Sequence, residues 1–127
     1  MKIYLIDKYR KNTKLIKALE ESGITNIEQK EDINYRINKT DIVISTDAEV
    51  DYDGYQKINN LIILTKTNEK NQIWNMANKL NTKDIIQINN NNEGYIAERI
   101  KKCIGEIKNE TNNKHSTAYF DTTEQPK

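Results

Sequence analysis

The stretch KIYLID, residues 2–7, sets four apolar side chains in a row and stops them at a carboxylate. Ile3, Tyr4, Leu5 and Ile6 favour a pleated backbone, and the run is too short for a helix. A strand wet on one face alternates apolar with polar residues. A continuous run fits a strand covered on both faces, as in a parallel sheet between helices. DIVIST (41–46) and LIILT (61–65) repeat the pattern. NIEQK (26–30) is a weaker strand, placed near an edge, and DIIQI (84–88) is the last one.

Between these runs lie amphipathic stretches. TKLIKALEESG (13–23) puts Leu15, Ile16 and Leu19 on one helical face and its charges largely elsewhere, with Gly23 placed to end the helix. INYRI (33–37) is at most a short helix, and Tyr52, Tyr55 and Ile58 form one face of another, weakened by Gly54. NQIWNMANKL (71–80) is a helix with Ile73, Met76, Ala77 and Leu80 toward the core. EGYIAERIKKCIGEIKN (93–109) is the longest, with Ile96, Ile100, Cys103, Ile104 and Ile107 as its apolar stripe. The order βαβαβαβαβα predicts a doubly wound α/β fold: a five-stranded parallel sheet in the order 2-1-3-4-5, flavodoxin-like, with helices on both faces. Residues 1–109 form the domain. Residues 110–127 are polar and without periodicity, and are expected to be a tail or linker. The ending in TEQPK suits either a natural tail or a longer protein cut at a linker.

Composition narrows the function classes. The chain has 127 residues, 20 basic and 19 acidic, with a net charge of +1. That balance gives no basic stripe for nucleic acid or an anionic membrane surface. No apolar run approaches the ~20 residues of a membrane span. The chain reaches Asp7 too soon for a signal peptide, so a cytoplasmic domain is expected. There is 1 cysteine and hence no intrachain disulfide. No P-loop, zinc ligand set or nucleophile–base pair is visible, so no enzyme activity, metal or cofactor is expected. Cys103 lies in an apolar stripe and His115 in the tail.

In a sheet of this kind ligands bind beyond the C-terminal strand ends, where strand order reverses. Those ends are Asp7 and Lys8, Thr46 and Asp47, Thr65 and Lys66, and Ile88 and Asn89. The anchors YLIDKYRKNTKLIKALEESG, DIVIST, LIILT and ANKLNTKDIIQI, in that order and spacing, resemble the response-regulator receiver domain, the CheY-like family, over residues 1–109. The resemblance implies a phosphoacceptor aspartate after the third strand and acidic Mg²⁺ ligands after the first. It also implies a hydroxyl after the fourth strand and a lysine after the fifth. Asp7 falls on an acidic position and Thr65 on the hydroxyl position. Lys8 stands where a second acid is expected, Thr46 where the phosphoacceptor is expected with Asp47 one residue late, and Ile88 where the lysine is expected.

Replacing a carboxylate by an ammonium beside a metal site turns attraction into repulsion. At ~4 Å and a dielectric near 20 one such pair is worth about 4 kcal/mol. The expectation is a degenerate pocket in which Lys8 neutralises Asp7 and Asp47 in place of a metal. Two alternatives stand beside it. A one-residue bulge would bring Asp47 to the acceptor position and preserve phosphorylation. A flavodoxin-like domain would hold a small ligand, although DKYRKNT (7–13) has no glycine to cradle a phosphate. Asp7 and Asp47 are equally well read as helix or turn caps, and Thr65 as residual scaffold.

Trp74, Tyr95 and Arg99 raise a last question. Trp74 sits about 100° from Ile73 around its helix, and Tyr95 and Arg99 lie one turn apart on the last helix. They are read either as flank packing or as a protein interface on the fourth helix, fifth strand and fifth helix. The resemblance implies that this face serves dimer or partner contacts. Atypical receiver domains also precede MinD/ParA-like ATPases that localise pilus assembly machinery, the TadZ/CpaE class. That similarity implies a bacterial interaction or localisation module joined to a C-terminal ATPase domain absent from this sequence.

Overall fold

The apolar runs form strands. The computed structural model describes residues 1–7, 12–33, 36–46, 48, 52–89 and 91–116. In chain order they form β1 (Ile3–Ile6), α1 (Thr13–Glu21), β2 (Ile27–Lys30), β3 (Ile42–Ser45), α2 (Tyr52–Tyr55), β4 (Asn60–Thr65), α3 (Lys70–Lys79), β5 (Thr82–Gln87) and α4 (Glu93–Ser116). The strands make one parallel sheet in the order β2-β1-β3-β4-β5, the doubly wound order that the alternating pattern predicts.

Every residue of β1 and β3 is buried, and so is all of β4 after Asn60. Their side chains divide by parity. Ile3, Leu5, Ile42, Ile44, Ile62 and Leu64 meet α1 and the stripe Ile96, Ile100, Cys103, Ile104 and Ile107 of α4. Tyr4, Ile6, Val43, Leu61 and Ile63 meet Tyr55, Ile58, Met76 and Leu80 on the opposite side. Each buried aliphatic side chain is worth about 1.5–3 kcal/mol relative to exposure, so the two layers hold the sheet between them.

Helix α1 ends as its sequence predicts. Gly23 has φ 103°, a left-handed conformation that a side chain would strain. Its N–H donates to Glu20 O at 3.0 Å, and the Ile24 N–H reaches back to Leu19 O at 2.9 Å. This pair closes the last turn as a Schellman motif, with Leu19 and Ile24 in the same cluster.

Three details differ from the expected order. No helix is present among the described residues between β2 and β3, so the alternating βα order is broken there. Ile33 and Ile37 instead drop directly onto the sheet beside Tyr4 and Ile6. INYRI has too few apolar positions for a helical face and is rich in weak helix formers. The uncovered flank is matched by polar side chains. Register places Glu28 beside Tyr4 and Lys30 beside Ile6, on the side a helix would otherwise cover.

Helix α4 runs on to Ser116, past the boundary expected at residue 109. The apolar stripe ends at Ile107, but no glycine or proline follows Gly105 until Pro126, so nothing in the chain breaks the backbone ladder there. In α3 the core face centres on Met76 and Leu80, which leaves Ala77 exposed and Ile73 half-buried. Among the described residues no helix is long and apolar enough to cross a membrane.

One buried carboxylate secures the end of the sheet away from the strand ends of interest. Asp41 accepts from Lys2 N–H at 2.9 Å and Asn38 N–H at 2.8 Å, tying the start of β1 to the turn before β3. Asp41→Ala strands both donors. It is expected to lower the unfolding free energy by about 2–4 kcal/mol, read as a reduced urea midpoint at unchanged slope.

Candidate functional site

Four of the six expected pocket residues lie along the C-terminal edge of the sheet. Asp7 follows β1, Thr46 follows β3, Thr65 closes β4 and Ile88 follows β5. Register brings Asp7 level with Thr46, since Ile6 pairs with Ser45. Lys8 and Asp47 lie outside the described residues.

Each polar group of this row is bonded within the protein. Asp7 is 5% exposed. Its Oδ2 accepts from the Asn12 backbone N–H at 3.1 Å and from Asn12 Nδ2 at 2.9 Å. Asn12 is the N-cap of α1 and makes no side-chain cap of its own helix. The carboxylate therefore receives the backbone and side-chain N–H groups of the N-cap residue, next to the positive end of the helix dipole. The Thr46 hydroxyl donates to Ile6 O at 3.2 Å, as does its own N–H at 3.2 Å. The Thr65 hydroxyl accepts from Thr67 N–H at 3.1 Å, a short side-chain turn.

Ile88 turns inward and packs against the core. Amides join the two neighbouring loops. Gln87 Nε2 donates to Thr67 O at 3.2 Å, and Asn89 Nδ2 donates to Lys66 O at 2.6 Å. The Ile88 N–H adds a bond to Thr65 O at 3.0 Å. Lys66 and Asn89 appeared in the sequence only as neighbours of the strand ends, and Gln87 and Asn12 carried no signal there. An amide that bridges two backbones looks in sequence like any surface Asn or Gln. Among the described residues no three His, Cys, Asp or Glu side chains are placed to hold a metal ion.

The aromatic residues lie elsewhere, on the two helices that flank edge strand β5. Trp74 is 63% exposed on α3 and Tyr95 is 48% exposed on α4. Trp74 lies about 140° around the helix from the Met76–Leu80 centre. Arg99 is half-buried, and its Nη2 donates to Asp84 Oδ1 at 2.5 Å. Burial alone would lower the Arg99 pKa, but the charge of Asp84 and hydrogen bonds to Tyr95 and Asp84 outweigh it and hold the guanidinium above its ordinary value. A groove of about 410 Å³ between β5 and α4 is lined by Lys83, Asp84, Tyr95, Arg99, Lys102 and Glu106, with Cys103 at its floor. Burial pushes the Cys103 thiol up to about 11, with the Asp84 charge adding to it.

Comparison with protein-family models, with curated proteins and with solved structures found no match for this chain.

Asn12→Ala removes one charge-assisted bond to a buried carboxylate. The expected loss is about 1.5–3 kcal/mol of stability, checked by chemical denaturation. Cys103 supplies a second test. Its thiol stays neutral in the folded protein to about pH 11, against 9.0 for the ordinary group. The stability this contributes is fully present below about pH 9 and is lost as pH rises through about 11. Iodoacetamide at pH 8 is expected to label the native thiol at least about a hundredfold more slowly than the denatured one, read by intact mass.

Proposed function

We propose that this chain is a degenerate receiver-like domain that works as a protein-docking module independent of phosphorylation. The carrying observation is Trp74, a large aromatic side chain left 63% exposed on α3, with Tyr95 as its counterpart on α4. Tryptophan and tyrosine dominate binding energy where they become buried against a partner. Helices α3 and α4 correspond to the fourth and fifth helices of the full alternating pattern, because no helix is present between β2 and β3 among the described residues.

The strand ends support the second half of the reading. Thr46 stands at the residue where the receiver resemblance expects a phosphoacceptor, and a threonine hydroxyl does not form an acyl phosphate. Ile88 stands where a cation would balance phosphate. The Asp7 carboxylate is already engaged by Asn12. Lys8, directly after Asp7 in sequence, adds a positive charge where a divalent ion would need a negative one. In this reading the domain positions what it is joined to or bound by, as the resemblance to localisation ATPases implies.

Trp74 is the only tryptophan, so its fluorescence reports on this face directly. Millimolar Mg²⁺, alone or with fluoroberyllate, is expected to leave both its emission and the thermal midpoint unchanged. Acetyl phosphate is expected to add no mass. A phosphoryl adduct on Asp47 would restore the switch and sink the phosphorylation-independent reading. Trp74→Ala is expected to weaken self-association or partner capture by at least about tenfold, near 1.4 kcal/mol. Unchanged association by sedimentation and pull-down would remove the docking role.

A further inference from the structure

Edge strand β5 offers a row of backbone groups that a sixth strand could pair with, and two of the outward ones are bonded from within the chain. The Ile88 N–H donates to Thr65 O of β4. Backbone groups alternate along a strand, so 84, 86 and 88 face β4 while 85 and 87 face away. The outward Ile85 N–H donates to Asp84 Oδ1 at 2.9 Å. The outward Gln87 carbonyl accepts from Asn91 Nδ2 at 2.7 Å. Asp84 Oδ1 is itself held by Arg99 Nη2. Toward the start of the strand a register shift lets Lys83 fall between Thr82 and Asp84, opposite Leu61 and Ile62. Such a bulge spoils regular pairing along the edge.

We propose that Asp84 and Asn91, with Arg99 as the positioning residue for Asp84, are an edge guard that prevents β5 from accepting a strand of a second copy of this chain. An open parallel edge is a template for pairing with another chain, and proteins blunt it with bulges and charges. Here the guard is more specific than a repelling charge, because a side-chain acceptor fills an outward N–H and a side-chain donor fills an outward carbonyl. The opposite edge is protected differently. β2 is 4 residues long and carries Glu28 and Lys30. The inference goes beyond the docking role and does not need it. If a partner uses the α3–β5–α4 face, the guard leaves it the side chains Trp74 and Tyr95 and denies it the strand.

The test uses the full chain. The double variant Asp84→Ala with Asn91→Ala is expected to self-associate at least about tenfold more tightly than wild type in sedimentation equilibrium. Its Ile85 and Gln87 amides should exchange more slowly at high protein concentration than at low. Asp84→Asn keeps an acceptor oxygen for Ile85 and is expected to remain near wild type. Ile85→Pro in the double-alanine background removes the outward N–H while leaving the bonds to β4, and should restore wild-type association. The wild-type protein supplies a readout that survives any folding failure of the variants. Its Ile85 amide is expected to be at least about tenfold more protected than an open edge amide, at a rate independent of concentration. Open exchange at Ile85 in wild type, or tighter association that leaves the Ile85 and Gln87 amides unaltered, overturns the guard.

Discussion

Neither face of β1, β3 or β4 can meet water. Apolar side chains fill the buried positions of these strands almost without interruption, so the sheet needs a layer on each side before it is stable. That requirement explains why α1 and α4 pack together on one face and why α2 and α3 share the other with Ile33 and Ile37. It also explains the polar pattern of β2. Where no helix among the described residues covers the sheet, the strand turns Glu28 and Lys30 toward that side.

The same constraint moves chemistry to the margins. A sheet buried on both faces can present polar groups only at its strand ends and along its edges. At the C-terminal ends the groups are tied inward: Asp7 to Asn12, Thr46 to Ile6, Thr65 to Thr67, and the β4 and β5 loops to each other through Gln87 and Asn89. At the other end Asp41 plays the matching role with Lys2 and Asn38.

What the fold leaves outward is the region around β5. There the exposed aromatics Trp74 and Tyr95 stand on either side of a strand whose outward Ile85 N–H and Gln87 carbonyl are bonded from within the chain. The two properties work together. A surface that binds through side chains is specific to the partner that fits them, whereas an open strand edge would accept any extended segment. Arg99 takes part in both, since its guanidinium holds Asp84 and lies beside Tyr95 in the groove.

The sequence by itself determined the sheet, its order and most of its core. Continuous apolar runs and a single helical stripe are local signals, so KIYLID, DIVIST, LIILT and the stripe from Ile96 to Ile107 were legible one residue at a time. It also marked the strand ends as the place to look, with Asp7, Thr46, Thr65 and Ile88 in line. Only the tertiary structure decided what those residues and their neighbours touch. Gln87, Asn89 and Asn91 act by donating to backbone carbonyls, Asn12 by holding the Asp7 carboxylate, and Asp84 by meeting Arg99 15 positions away while accepting from the next N–H. Hydrophobic burial follows from composition along the chain, whereas a hydrogen bond between two polar side chains depends on a meeting that only packing arranges.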